Sequence, residues 1–433
     1  MKKVEKWYNI SSSTYINFMV KTLKVKAHDF LRWTEKWTKT DMIYFTKGGF
    51  WLTTGQLFST LSSFILSIAF ANLLPKEIYG QYKYILSMAG LLSIATLSGM
   101  TTALAQSVAK GYDGSFVLAT KARMKWGLVG AILGLILAGY YFYNHNVTLT
   151  FCFLIASVFM PFMDSLNSYE AVLVGKKLFK ENTKYNIIIK IVATIITVGT
   201  IYFTNNLFIL IFSYFITYTI LRFIFLLITK YKARLNKQVD PQTLPYGKHL
   251  SLMGVIEIIS SQLDKVLVFN YLGAAPLGIY SFAIAMPEQI KGLLKNVQSL
   301  ALPKFTQSKY TENRKTIMIK MFKFSLLVVP IIIAYIWAAP YIFKIFFPQY
   351  MEAVFYSQIF SISLITISAS LPIAFLQSQA DTKKLWQINL LSPTVQIVIL
   401  FTAIYFYGLI GMILARIINR FMNLFIVTVT IKK

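Results

Sequence analysis

Apolar runs of about 20 residues recur from residue 48 to the end of the chain, separated by short polar stretches. At 1.5 Å of rise per helical residue, each run is long enough to cross a hydrocarbon core of roughly 30 Å. Twelve spans are expected, over 48–73, 84–105, 124–143, 147–173, 185–204, 207–229, 250–272, 277–302, 319–339, 353–377, 386–407 and 409–430. A membrane barrel would instead show alternating segments of about ten residues. The pattern therefore predicts an all-α integral membrane protein with about 12 transmembrane helices. Pro161 in the fourth span and Pro372 near the end of the tenth free backbone carbonyls and permit kinks.

The polar connections alternate in charge. One side collects 32 Lys and Arg, ten of them before the first span; the other holds only Lys76, Lys83 and Lys344. Basic residues remain on the cytoplasmic face during insertion. This places both termini in the cytoplasm of a multi-pass cell (inner) membrane protein and requires an even number of spans. The outer connections are very short, near 144–146, 205–206, 274–276 and 408. No external domain is expected.

Composition changes the picture only at a few points. Charged residues make up 14% of the chain, against about 25% in a soluble protein. The net charge of +27 invites a nucleic-acid partner, but the charges sit in membrane-flanking loops, so none is expected. Cys152 is the lone cysteine and no intrachain disulfide is possible. Residues 1–47 lack the apolar core of a signal peptide. A helix over 13–39 would set Met19, Leu23, Phe30, Trp33 and Trp37 against several lysines, as in helices that lie on anionic leaflets; a partly ordered basic tail fits equally. No phosphate-binding Gly-rich loop, zinc motif or resident cofactor is read from the sequence, and the three histidines lie outside the spans. The chain is not expected to be an enzyme.

An internal repeat is visible. Gly80-Gln81-Tyr82 and Gly278-Ile279-Tyr280 lie 198 residues apart, each between two spans. Six spans per copy give two lobes of equal orientation, related by a pseudo-two-fold along the membrane normal. The expected organisation is a basic N-terminal segment (1–47), an N-terminal lobe (48–229), a cytoplasmic linker (230–249) and a C-terminal lobe (250–433).

The spans carry more charge than hydrocarbon tolerates without a partner or a wet cavity. Span seven aligns Glu257, Ser261 and Asp264, with Lys265 beside them. Span eight aligns Glu288, Lys291, Lys295 and Gln298, and span twelve aligns Arg416, Asn419, Arg420 and Asn423. Arg222 lies in span six and Asp164 in span four. Basic residues exceed acidic ones, mostly in the C-terminal half, and arginine's planar fork suits phosphate oxygens. The candidate anion cavity is therefore Arg416, Arg420, Lys265, Lys291 and Arg222. Asp264, Glu257, Asp164 and Glu288 are candidates for a coupling H⁺ or Na⁺, or for charge pairs that lock helices. Ser/Thr/Asn/Gln residues of spans one, two and ten, among them Gln56, Ser59, Ser357, Gln358 and Ser361, are candidates for lining the cavity or for helix packing. The N-terminal lobe is expected to contribute mostly neutral polar surface.

Leu73-Leu74-Pro75-Lys76-Glu77-Ile78-Tyr79-Gly80-Gln81-Tyr82, followed by Gly99 and by Ala109-Lys110-Gly111, resembles the start of the polysaccharide exporters. These are the Wzx-type flippases of the multidrug/oligosaccharidyl-lipid/polysaccharide (MOP) superfamily. Asp264-Lys265, Gly278-Ile279-Tyr280-Ser281-Phe282-Ala283 and Leu300-Ala301-Leu302-Pro303-Lys304-Phe305 resemble that family's seventh and eighth helices. The resemblance covers about residues 45–430. It implies transfer of an undecaprenyl-diphosphate-linked oligosaccharide, an O-antigen or capsule repeat unit, to the outer leaflet by alternating access, with membrane lipids, glycosyltransferases and a polymerase as partners. A MATE-like multidrug antiporter and a lipid II-type flippase remain the alternatives.

Overall fold

The computed structural model describes residues 42–307, 314–378 and 382–432, so the expected helix over 13–39 lies outside the described residues. Every regular element within them is helical. In chain order they are α1 (Met42–Leu73), α2 (Lys76–Leu92), α3 (Met100–Ala109), α4 (Ser115–Tyr143), α5 (Val147–Met163), α6 (Tyr169–Gly175), α7 (Phe179–Phe203) and α8 (Leu207–Lys232). There follow α9 (Thr243–Met253), α10 (Val255–Leu272), α11 (Ala274–Gln307), α12 (Arg314–Phe346), α13 (Ala353–Ser361), α14 (Ser370–Ser378) and α15 (Thr382–Lys432).

Among the described residues, eight helices are long and apolar enough to cross a membrane, or nine if the bent pair Lys76–Thr96 and Met100–Ala109 is one span. The last of them, Trp386–Thr430, contains two of the twelve expected spans. They divide at Gly408, whose positive φ of 53° breaks α15 where the outer turn was expected. The two spans not counted correspond to α10 and α11, whose charged residues depress their apolarity. The short turns expected at 144–146 and 205–206 are present. Asn146 caps α5 by accepting from the Leu149 N–H, and Asn206 caps α8 through Phe208; each satisfies an amide the helix leaves unpaired. Tyr143, Tyr202, Phe203, Trp337 and Tyr405 are exposed near this end, as an interfacial aromatic belt requires.

Several helices are interrupted inside the membrane. α2 passes through a 3-10 turn (Ser93–Thr96) to Leu97, which adopts a left-handed φ of 57° before α3 resumes. The α5–α6 span breaks at 164–168, after Pro161. The span made by α13 and α14 contains a 3-10 stretch, Ile362–Ala369. There the hydroxyls of Ser361, Ser363, Thr366 and Ser368 each donate to a carbonyl three residues back. Ser357 and Ser361 are fully buried, Ser357 bonds the Tyr335 hydroxyl at 2.6 Å, and Gln358 donates to the Ile336 carbonyl. The span-ten hydroxyls are packing groups of the C-terminal lobe, not a cavity lining.

The repeat explains how the lobes meet. Lys76 and Ala274, the first residues of α2 and α11, stand 198 residues apart like the two glycines. A Cβ on Gly80 would lie 1.8 Å from the Ala274 carbonyl oxygen, and one on Gly278 would lie 2.9 Å from the Lys76 carbonyl oxygen. The two helix starts therefore cross reciprocally, and only glycine permits that approach. Around the crossing, Tyr79 packs on Phe282, Tyr84 stacks on Phe269 at 3.8 Å, Asn72 donates to the Phe346 carbonyl, and Lys76 pairs with Glu352 at 2.8 Å. These contacts form a seal at one end of the helices.

The expected linker is folded. Asp113 receives Lys176 at 2.8 Å and the Asn236 N–H, while Asp240 receives Ser107 and caps the turn that begins α9. Gly99 donates its N–H to Ser251, and its backbone presses on Leu250 and Ser251. The segment from 236 to 253 is thus attached to α3 and α4. Span seven is divided at Gly254 into α9 and α10, and its first part is held by the other lobe.

Candidate functional site

Two polar pockets lie deeper than the seal, one in each lobe. The N-lobe pocket, of about 370 Å³, is bounded by Gln56 and Ser59 of α1, Asn167 and Glu170, Asn182, Asn186 and Lys190 of α7, and Tyr218 and Arg222 of α8. Ser59 lies about 14 residues, or roughly 21 Å, from the outer end of α1. The C-lobe pocket, of about 320 Å³, is bounded by Glu257, Ser260 and Ser261 of α10, Lys291 of α11, and Asn389, Gln396, Arg416, Asn419, Arg420 and Asn423 of α15. Ser59 and Glu257 are mates in the 198-residue repeat, so the pockets occupy corresponding places.

Behind the C-lobe pocket is a charge cluster. Arg416 contacts the fully buried Asp264 at 3.1 Å and Glu288 at 3.8 Å. Arg420 bonds Glu288 and donates to Ser363 at 2.7 Å. Lys291 stands 3.8 Å from Glu288, and the Tyr280 hydroxyl donates to Asp264 at 2.6 Å. Both guanidinium groups lie over the Phe360 ring, Arg420 at 4.5 Å. The repulsion between arginines one turn apart is thus offset by two carboxylates. Asn419 donates to Gln396, which donates in turn to the Ser260 carbonyl. Among the described residues, the Oδ1 atoms of Asp264, Asn419 and Asn423 are buried without a partner.

Of the expected residues, Arg416, Arg420, Lys291 and Glu257 line the C-lobe pocket, with Asp264 and Glu288 holding the arginines from behind. Lys265 does not join them. It donates to Gln262 at 3.1 Å on the lobe interface, where Gln262 packs on Gly90. Arg222 lines the opposite pocket; it donates to the Met163 carbonyl at 2.6 Å and covers Tyr218. Asp164 lies outside both pockets. It accepts from Thr96 at 2.6 Å and interacts electrostatically with the buried Arg123.

Three readings of the sequence are corrected here. The N-terminal lobe is not mostly neutral, since Glu170, Lys190 and Arg222 line its pocket and Arg123 and Asp164 lie beside it. Arg123, counted among cytoplasmic loop charges, is buried in α4 and bonds Thr96 and Thr101. Lys83, counted in an outer connection, lies two turns inside α2, with its ammonium 5.3 Å from the Tyr79 ring and in electrostatic reach of Lys265. The early start of α2 shifts it inward. Asn186 and Lys190 on span five, with Asn182 one turn ahead of its expected start, were legible as one polar stripe at four-residue spacing. Asn389 and Gln396 carry no comparable signal.

The architecture defines a class. A lipid II flippase, MurJ, in an inward closed conformation superposes with a TM-score of 0.67 at 14% identity, over 88% of this chain and 87% of that one. A MOP-superfamily transporter from Pyrococcus furiosus gives 0.64 at 10% identity over 89% and 95%, and an outward-facing multidrug MATE transporter gives 0.61 at 13% over 89% and 94%. The fold is that of MOP-superfamily transporters, in a multi-pass membrane protein. Residues 69–354 match the model of the polysaccharide biosynthesis protein family, and the chain belongs to that family. No curated protein sequence matches it closely enough to count as a relative.

Proposed function

We propose that the protein flips an undecaprenyl-diphosphate-linked oligosaccharide from the cytoplasmic to the outer leaflet of the cell membrane by alternating access. The observation that carries this reading is the C-lobe pocket, whose lining holds three cations (Lys291, Arg416, Arg420) against one acid, Glu257, with Asp264 and Glu288 set behind the arginines. That balance favours an anion, and Arg420 and Lys291 share one carboxylate that a diphosphate can replace. The facing N-lobe pocket offers amides, hydroxyls and the Tyr218 ring, which suit sugar hydroxyls. Each unpaired hydroxyl moved into hydrocarbon costs roughly 2–7 kcal/mol, so two wet half-sites under a common seal meet the main physical difficulty of the reaction.

The energetics agree with the sign of the site. With both termini cytoplasmic, an inside-negative potential favours outward transfer of an anion by roughly 2.3 kcal/mol per charge per 100 mV. Asp164 and Asp264 are the acids best placed to bind a coupling H⁺ or Na⁺. Glycosyltransferases and a polymerase would act before and after the transfer. The test is a count of flipped lipid in vesicles containing the purified protein and a fluorescent undecaprenyl-diphosphate oligosaccharide. Flipping of lipid II alone, without longer surface-glycan precursors, would move the assignment to a lipid II-type flippase. Export of lipophilic cations instead would move it to a multidrug antiporter.

A further inference from the structure

Helices α4 and α5 touch closely along one seam. A Cβ added at Gly127, Gly130 or Gly134 would lie within 3 Å of Pro161, Met160 or Ser157 respectively. Beside that seam, on the outer surface of the lobe, runs a groove of about 570 Å³. Its walls include Leu128 and Leu135 of α4 and Val158 and Phe162 of α5, all exposed. At one end stand Lys121 and Lys125, one turn apart on the same helix face and both exposed. Neither makes a hydrogen bond or ion pair among the described residues. Arg123 lies between them in sequence but turns inward to Thr96 and Thr101. The groove shares no lining residue with either polar pocket.

We propose that this groove holds an anionic phospholipid, with its phosphate against Lys121 and Lys125 and an acyl chain along Leu128 to Leu135. Charge complementarity selects the headgroup, and the apolar walls select a hydrocarbon chain. The charge asymmetry of the connections assigns the lysine end to the cytoplasmic leaflet, where anionic lipids concentrate. From Lys121 to Leu135 the groove runs about 21 Å along the helix, more than the roughly 15 Å hydrocarbon depth of one leaflet. The occupant is a resident lipid and not the transported one, because both walls belong to one lobe. Movement between lobes neither opens nor closes this groove. The site is independent of the flipping reading.

Native mass spectrometry of the delipidated full chain, exposed to an equal mixture of dioleoyl-phosphatidylglycerol and dioleoyl-phosphatidylcholine, tests it. Each headgroup-level lysine strengthens anionic-lipid binding about fivefold, so phosphatidylglycerol should be retained about thirtyfold over phosphatidylcholine at one site. Lys121→Gln with Lys125→Gln should erase the preference while retaining lipid. Ala131→Trp, which fills the groove, should lower retention of both. Among the described residues the lysines have no partner, so their replacement should leave the fold intact. Equal retention of the two lipids by the unaltered protein, or an undiminished preference in the double variant, overturns the proposal. Displacement of phosphatidylglycerol by stoichiometric undecaprenyl phosphate also overturns it, since the groove would then belong to the prenyl chain. The readout is lipid retention, so a negative result leaves the flipping assay unaffected.

Discussion

Removing the Arg416 charge has two consequences that a cycle of variants separates. Asp264 is fully buried, and its charged partner is Arg416 at 3.1 Å. Among the described residues, Arg416→Gln leaves that carboxylate with the Tyr280 hydroxyl as its one hydrogen-bond donor. Breaking a buried pair from one side costs about 3–5 kcal/mol. Asp264→Asn strands the arginine more mildly, because Glu288 lies 3.8 Å from it and accepts part of the charge; a loss of about 1–3 kcal/mol is expected. The double variant removes both charges and keeps an acceptor for Tyr280, so it should recover at least about 2 kcal/mol of the Arg416→Gln loss. Stability would be measured by denaturant-induced unfolding in detergent micelles. Flipping would then be measured on the double variant, where misfolding no longer explains a loss. If Arg416 grips the diphosphate, the stable double variant should flip at least tenfold more slowly. Wild-type flipping by that variant would reduce Arg416 to a helix lock. A loss under about 1 kcal/mol in Arg416→Gln would refute the buried-pair reasoning itself.

Three other consequences are open to measurement. Glu288→Gln removes the carboxylate shared by Arg420 and Lys291; it should tighten binding of an undecaprenyl-diphosphate glycan in equilibrium titrations and slow its release, and weaker binding would count against the anion site. Gly80→Leu cannot fit beside the Ala274 carbonyl, so spin labels at Asn205 and Gln349, both exposed, should show longer distances by double electron–electron resonance, and an unchanged distribution would contradict the reciprocal crossing. The Gln242 N–H, together with the Ser107 hydroxyl and Lys110, holds the Asp240 carboxyl below its ordinary value of 3.8. A depressed carboxyl stabilises the fold above the unfolded-state value, and that contribution is lost as pH falls through the folded one. Hydrogen-exchange protection factors over 236–253, corrected for the intrinsic pH dependence of amide exchange, should therefore fall below about pH 4 and not between pH 5 and 8; a fall in the higher range would implicate another group.

Much of the fold was legible because membranes make hydrophobic length and loop charge decisive. Gly80 and Gly278 stood out as repeat mates, and the structure gives them a shared task at the lobe crossing. What local pattern leaves open is which face of a polar helix turns inward and where a span bends. Lys83 looked like a loop residue because charge usually marks a helix end; here α2 begins at Lys76 and carries Lys83 inside. Asp264 and Lys265 invited pairing as neighbours, yet adjacent residues on a helix diverge by about 100°. The partner of Asp264 therefore comes from α15, far along the chain. The packing of α9 on α3, beside the break at Gly254, joins segments that no window of sequence contains.

The central claim is that an anionic glycolipid crosses between the two pockets. Vesicles bearing the purified protein and a fluorescent undecaprenyl-diphosphate oligosaccharide, placed initially in one leaflet, measure it directly by quenching from the other side. Transfer should run well above that of protein-free vesicles, accelerate when the trans side is made positive, and be lost in the stable variant lacking both Arg416 and Asp264. Transfer equal to that of empty vesicles, or acceleration by the opposite potential, would contradict it.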